Sequence, residues 1–327
     1  MPDPVSPSLV SRRLMLAAAA AAPILGVRAA DAAAPFLNTN APPFYRFKHG
    51  TFEITVVSDG PLVLPTLDVV LENAPKADLE RILTANRMPT DRWIGPQNVL
   101  VVNTGRHLVL IDTGMGDRSK VLGPDNGHLM RNLALAGIDP AAIDVVAITH
   151  AHIDHCWGLV DARDRLNFPN ARVAIAMSDY EFWTQESLLA NPAARDFVLY
   201  TRTNLLPVRD RIIPVRDGAE VVPGITAMAT AGHTVGHHSY VIESGGRRLV
   251  NVGDVLHHHV LLLRHPEWHN IFDSDKAQGA ATRRRVLETM SADGTECVLY
   301  HFPFPGVGRF VRAGQGFAWI PTPMHEG

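Results

Sequence analysis

Short apolar runs, most of them alternating or β-branched, are spaced along the chain and separated by glycine-containing turns. "FEITVV" (52–57) alternates and predicts a strand closed by an Asp59-Gly60 turn. "VLVVN" and "HLVLIDTG" predict a hairpin around Thr104-Gly105-Arg106. "DVVAIT" (144–149) and "RVAIA" (172–176) are apolar and short enough to be buried strands. The second half repeats the style with "ITAMAT" (225–230), "HSYVIE" (238–243), "RRLVNVG" (247–253) and "CVLY" (297–300).

Helical signals fall between these runs: "ADLERILTAN" (77–86), "NGHLMRNLALAGI" (126–138) with Gly137 as its stop, "YEFWTQESLLA" (180–190), and "DKAQGAATRRRVLETMSADG" (275–294). Strands with helices inserted singly in each half predict two sheets packed back to back, helices outside.

Composition narrows the class without naming a function. The 327 residues are 46% hydrophobic and 19% charged, enough to bury a substantial core. A net charge of −3 leaves no basic footprint for nucleic acid. Two cysteines, Cys156 and Cys297, make no disulfide framework and read as buried thiols. At the N-terminus, Arg12 and Arg13 precede an Ala-rich apolar run from Leu14 to Val27, followed by an Ala-x-Ala site at Ala30–Ala32. The run falls short of a membrane span. Residues 1–34 therefore read as a twin-arginine-type export signal, and residues 35–327 as the working domain, periplasmic or secreted, with no stable membrane insertion.

The densest chemistry is "THAHIDH" (149–155), at the end of a predicted strand. His150 and His152 share one face of an extended chain. Asp154 stands where the chain should turn into a helix, so it can serve as N-cap while reaching the site, with His155 beside it. This arrangement suits two neighbouring metals, one on His150 and His152, the other on Asp154 and His155. Each ion needs further ligands. His233, Asp254 and His301 each follow an apolar run, where loops carry function on a rigid sheet. Asp254 could bridge both ions. Five histidines and two aspartates suit Zn²⁺ best, with Mn²⁺, Fe²⁺ or Co²⁺ as alternatives.

His-x-His-x-Asp-His followed by Gly-His-Thr, Gly-Asp and a late histidine resembles the metallo-β-lactamase superfamily. "LIDTG" (110–114) is similar to that family's first motif. The resemblance covers about Phe44 to Pro321 and implies an αββα sandwich of two mixed sheets with helices on the outer faces. It implies that Asp112 orients a ligand histidine from outside the ligand set. "PFYRFKHGTFEITVVSDG" (43–60) and "HFPFPGVGRFVRAGQGFAWIPT" (301–322) resemble the ends of the methyl parathion hydrolase group, which includes phosphotriesterases, lactonases and aryl esterases. Two positions depart from the family pattern: Trp157 replaces a glycine and Val235 a proline.

The implied activity is a dinuclear hydrolase in which a hydroxide shared by two ions attacks carbon or phosphorus, with Asp154 and Asp254 positioning it and taking its proton. Expected substrates are small neutral lactones, aryl esters or organophosphate triesters, against a pocket walled by Phe182, Trp183 and Trp268. The family also implies a homodimer. Competing readings are a β-lactamase, a glyoxalase II-type thioesterase and a di-iron redox module. His257, His258 and His259 read as helix or loop residues, one of them lining the pocket.

Overall fold

The computed structural model describes residues 41–64, 70–117, 125–192 and 194–324; the expected export signal lies outside them. In chain order come β1 (Phe44–His49), β2 (Phe52–Ser58), β3 (Leu62–Leu64), β4 (Trp93–Gly95), β5 (Asn98–Asn103), β6 (Leu108–Ile111), β7 (Val145–Ala147), β8 (Arg172–Ala176) and β9 (Ile212–Val215). The second half supplies β10 (Glu220–Val222), β11 (Ile225–Ala229), β12 (His238–Ser244), β13 (Arg247–Asn251), β14 (Glu296–Val298), β15 (Val307–Ala313) and β16 (Gly316–Pro321). One sheet runs β1-β2-β5-β6-β7-β8-β9 and the other β10 through β16, with β3 and β4 paired apart. The first sheet changes from antiparallel to parallel at β6–β7, and the second holds one parallel pair, β13–β14. This is the mixed α/β sandwich that the family resemblance implies.

The alternation along each strand assigns its two faces. Ile54, Leu100, Val102, Val109 and Ile111 pack against Tyr240, Ile242 and Leu249 between the sheets. Their neighbours Val57, Val99, Val101 and Leu110 face outward, onto Leu129 and Leu133 of the helix Leu129–Leu135. On the other side, Val241 and Val250 face outward onto Val286, Leu287 and Met290 of the helix Lys276–Asp293. Strands buried on both faces read as near-continuous apolar runs, which is why "VLVV" carries so little polarity.

Several boundaries differ from expectation. The stretch 180–190 breaks at Gln185, whose extended backbone ends the helix Met177–Thr184 before a short 3₁₀ turn. The long helix stops where predicted, capped by the Asp275 side chain at one end and by left-handed Gly294 at the other. Asp154 is not an N-cap. The short helix Ile153–Cys156 begins two residues earlier than that would allow, with extended His152 as its N-cap, so Asp154 lies in its first turn. Both thiols are buried and free. No helix among the described residues is long and apolar enough to cross a membrane.

Candidate metal centre

Strand β7 ends at Ala147, and the next residues turn across the edge of the sandwich toward loops from the second sheet. His150, His155, His233, Asp254 and His301 are all buried to within a few per cent exposure. Two groups of donor atoms form, His150/His152/His233 and Asp154/His155/Asp254/His301, each drawn together within 4.8 Å. The seven residues expected at the site thus converge, from loops of both sheets.

Asp254 Oδ2 is the hub. It lies 3.2 Å from Nε2 of His155 and of His301, 3.6 Å from that of His233 and 3.8 Å from that of His150. Asp154 Oδ2 lies 3.3 Å from His301 Nε2 and 3.6 Å from His155 Nε2. A further imidazole joins them: His257 Nε2 is 3.1 Å from Asp254 Oδ2, in a third possible ligand group with His233. The expectation that one of the three consecutive histidines lines the pocket holds for His257, but its place among the possible ligands was not read from the sequence. The usable signal was its place three residues after Asp254, on the same turn. His258 is different, since its Nδ1 accepts from the Val260 and Leu261 N–H groups and caps the next helical turn.

Polar partners behind the cluster fix its orientation. Asp112, held at a left-handed φ of 65°, accepts from His155 Nδ1 at 2.9 Å and from the Thr149 N–H at 2.8 Å. The Thr149 hydroxyl donates to Asp112 and stands 3.0 Å from His150 Nδ1, so one carboxylate serves two rings. His233 Nδ1 meets Asp273 at 2.9 Å and His301 Nδ1 meets the Pro96 carbonyl at 2.9 Å. His237 is no ligand here: its Nε2 accepts from the Asp254 N–H at 3.0 Å and its Nδ1 meets Thr230. Asp179 joins the two ligand loops, accepting from Ala151 N–H at 2.6 Å and Gly236 N–H at 3.0 Å.

Charge within the cluster is balanced by protons. Burial alone would lower the pKa of His155, but the carboxylates of Asp254, Asp154 and Asp112 outweigh it and hold it well above the ordinary histidine value. His301 is pushed up to about 9 against burial by Asp254 and Asp154. The partner carboxylates fall despite burial, Asp154 to about 2 and Asp254 well below its usual value, because His155 and His301 face them. Burial, reinforced by neighbouring imidazoles, lowers His150 and His152.

A divalent cation fits this donor set. His150 Nε2, His155 Nε2, His233 Nε2 and Asp254 Oδ1 are buried with no hydrogen-bond partner. Leaving such atoms unpaired costs about 1–3 kcal/mol each, and cations bound among them, in place of the His155 proton, would satisfy them together.

A pocket of about 610 Å³ opens over these groups, walled by Leu62, Trp93, Ile153, Trp183, Phe197 and Phe272. Trp183 is therefore at the wall, edge-on to His152. Phe182 packs against Trp183 and is not among the lining residues. Trp268 belongs to the core, stacked on His265. Trp157 is buried behind the wall, donating to Thr201 at 3.0 Å and stacking on Phe197, while Val235 is exposed.

Residues 92–301 match the family model of the metallo-beta-lactamase superfamily. The chain belongs to that superfamily. Among solved structures it is similar to AidC, a dizinc quorum-quenching lactonase in complex with a product, N-hexanoyl-L-homoserine, at 27% identity over 86% of this chain and 98% of that one, with a TM-score of 0.81. It is also similar to hydrolase AbOPH, described as in the beta lactamase superfamily, at 25% identity over 88% of this chain and 100% of that one, with a TM-score of 0.80. A probable metallo-hydrolase of Mycobacterium tuberculosis is 25% identical over 188 residues, which is 49% of this chain and 57% of that protein. The match therefore spans little more than half of that curated relative.

Proposed function

We propose that this superfamily member is a dinuclear metal-dependent hydrolase that prefers lactones, with aryl esters and neutral phosphotriesters also within reach. One observation carries the reading: buried, unpartnered imidazole and carboxylate atoms converge beneath an apolar pocket. No lysine or arginine is among the described residues lining that pocket, so nothing there would clamp a phosphate monoester or a free carboxylate. The similarity to a lactonase structure supports lactones first. The stretches 43–60 and 301–322 favour the methyl parathion hydrolase group, and through it the phosphotriesters.

His150, His152 and His233 would hold one ion and Asp154, His155 and His301 the other, with Asp254 between them. When bound, such a pair supplies Lewis acidity and a water acidified toward neutral pKa, with zinc the best match to the donor set. Asp154 lines the pocket, and its carboxylate would take the proton released by the nucleophile and return it to the leaving alkoxide. Trp93, Trp183 and Phe272 would seat the apolar part of the substrate and exclude bulk water. The twin-arginine pattern at Arg12 and Arg13 supports an exported, periplasmic or secreted enzyme, checked by the N-terminus of the mature protein.

The test of substrate class is kcat/KM for dihydrocoumarin, phenyl acetate, methyl parathion and a penicillin at equal metal loading. Dihydrocoumarin should rank first. A penicillin turned over best, or activity confined to phosphate monoesters, would overturn the assignment.

A further inference from the structure

The helix Lys276–Asp293 carries three consecutive arginines, Arg283 to Arg285, and the first of them is 1% exposed. Its guanidinium donates to four acceptors. Nε reaches the Val255 carbonyl at 2.9 Å, Nη1 the carbonyls of Pro266 at 3.0 Å and Trp268 at 2.8 Å, and Nη2 reaches Asp273 Oδ2 at 2.9 Å. The other oxygen of Asp273 accepts from His233 Nδ1 at 2.9 Å.

The backbone reinforces this contact. The Ser274 N–H donates to the His233 carbonyl at 2.8 Å and the Asp275 N–H to the Gly232 carbonyl at 3.0 Å. Glycine is a poor residue inside a helix, yet Gly279 sits there for a visible reason. A Cβ at Gly279 would stand 2.5 Å from Asp273 Oδ2, and one at Gly232 would stand 2.5 Å from the Gly279 nitrogen. Two glycines are thus required for the helix to press Asp273 against the His233 loop.

We propose that Asp273, held by Arg283, is the positioning residue that fixes His233 with its proton on Nδ1 and the Nε2 lone pair aimed into the metal centre. The inference rests on the reading of His233 as a metal ligand. A buried carboxylate paired with a guanidinium accepts and does not donate, so it selects one tautomer of the ring it faces. The same pair anchors the pocket wall, because Ile271 and Phe272 immediately precede Asp273 and line the pocket. Asp273 acts on one ligand histidine alone, in contrast to Asp112, which reaches His155 directly and His150 through Thr149.

The experiment is metal binding by Asp273→Asn, Arg283→Lys and Gly279→Ala beside the wild type, with equivalents counted after equilibration at fixed free Zn²⁺ and the visible spectrum of the Co²⁺-loaded protein recorded. Asp273→Asn should weaken one of two sites by about 10–100-fold, leaving about one tightly held equivalent and changing part of the Co²⁺ spectrum. Arg283→Lys, which keeps the charge but not the fork, should lie between that variant and wild type, and Gly279→Ala should weaken the same site by displacing Asp273. In wild-type protein labelled with ¹⁵N-histidine, the His233 ring shifts should report a protonated Nδ1 whether or not any variant folds. A wild type that binds no metal sinks the underlying reading. A wild type with two sites, matched by Asp273→Asn in affinity and spectrum, or a His233 protonated on Nε2, sinks this inference.

Discussion

The two sheets furnish the centre in different ways. The first contributes His150, His152, Asp154 and His155 from a single loop after β7, and one carboxylate, Asp112, holds two of them, His155 directly and His150 through Thr149. The second contributes His233, Asp254 and His301 from three separate loops, each with its own anchor: Asp273 for His233, His237 for the Asp254 backbone and the Pro96 carbonyl for His301. Damage to the first arrangement should spread across the centre, whereas damage to the second should stay local, except at Asp254. That aspartate belongs to the second sheet but touches ligands from both.

Asp254 is therefore the place where the contrast should break. Asp254→Ala leaves the facing imidazoles without their shared anion and should lower kcat/KM by about 10³-fold or more, the several kcal/mol that a metal pair contributes. His259→Ala should change kcat/KM little, because His259 contacts Phe302 and His258 and belongs to none of the ligand groups. If the two variants behave alike, Asp254 is not the hub.

Asp112→Asn sharpens the contrast from the other side. It should weaken both sites, each by about 10–100-fold, measured as a joint loss of bound metal in a competition titration. Loss confined to one site would show that Thr149 does not pass the effect to His150.

These two sets of ligands were unequally legible in the sequence. The first sheet's ligands lie within seven residues, so spacing alone exposed them. The strand-end rule found His233, Asp254 and His301 because each follows an apolar run. Nothing local marked Asp273 or Arg283. An arginine in "RRR" on a helix reads as solvated, and only tertiary packing shows which of the three turns inward. The pocket wall was partly legible for the same reason: Trp183 lines it, while its neighbour Phe182 packs behind it and Trp268 faces the core. Strand alternation assigned the core faces well, but the closing stretch 301–322 was read only as a family resemblance, and its β15–β16 hairpin became visible through pairing with β14.

A smaller effect concerns protons. Without metal, His155 and His301 carry protons at neutral pH, being raised by the carboxylates around them, His301 to about 9. Metal loading must displace those protons, so calorimetric titrations near pH 7 in buffers of different ionisation enthalpy should show net proton release. Apparent affinity should rise with pH toward 9. The metal-free protein should show the opposite trend on that side: stability from the raised histidines is full below about pH 6.5 and is lost as pH rises through their folded values. Stability from the depressed Asp154 is present above about pH 4 and is lost as pH falls through about 2. Metal binding without proton release at pH 7 would show that the two histidines are neutral beforehand.

The most direct test of the account is a titration of chelator-treated protein with Zn²⁺, following bound metal and dihydrocoumarin hydrolysis in the same samples. The account predicts negligible turnover without metal and activity that rises to a plateau at about two equivalents per chain. Full turnover by metal-free protein, or a plateau at one equivalent with no gain from the second, would contradict it.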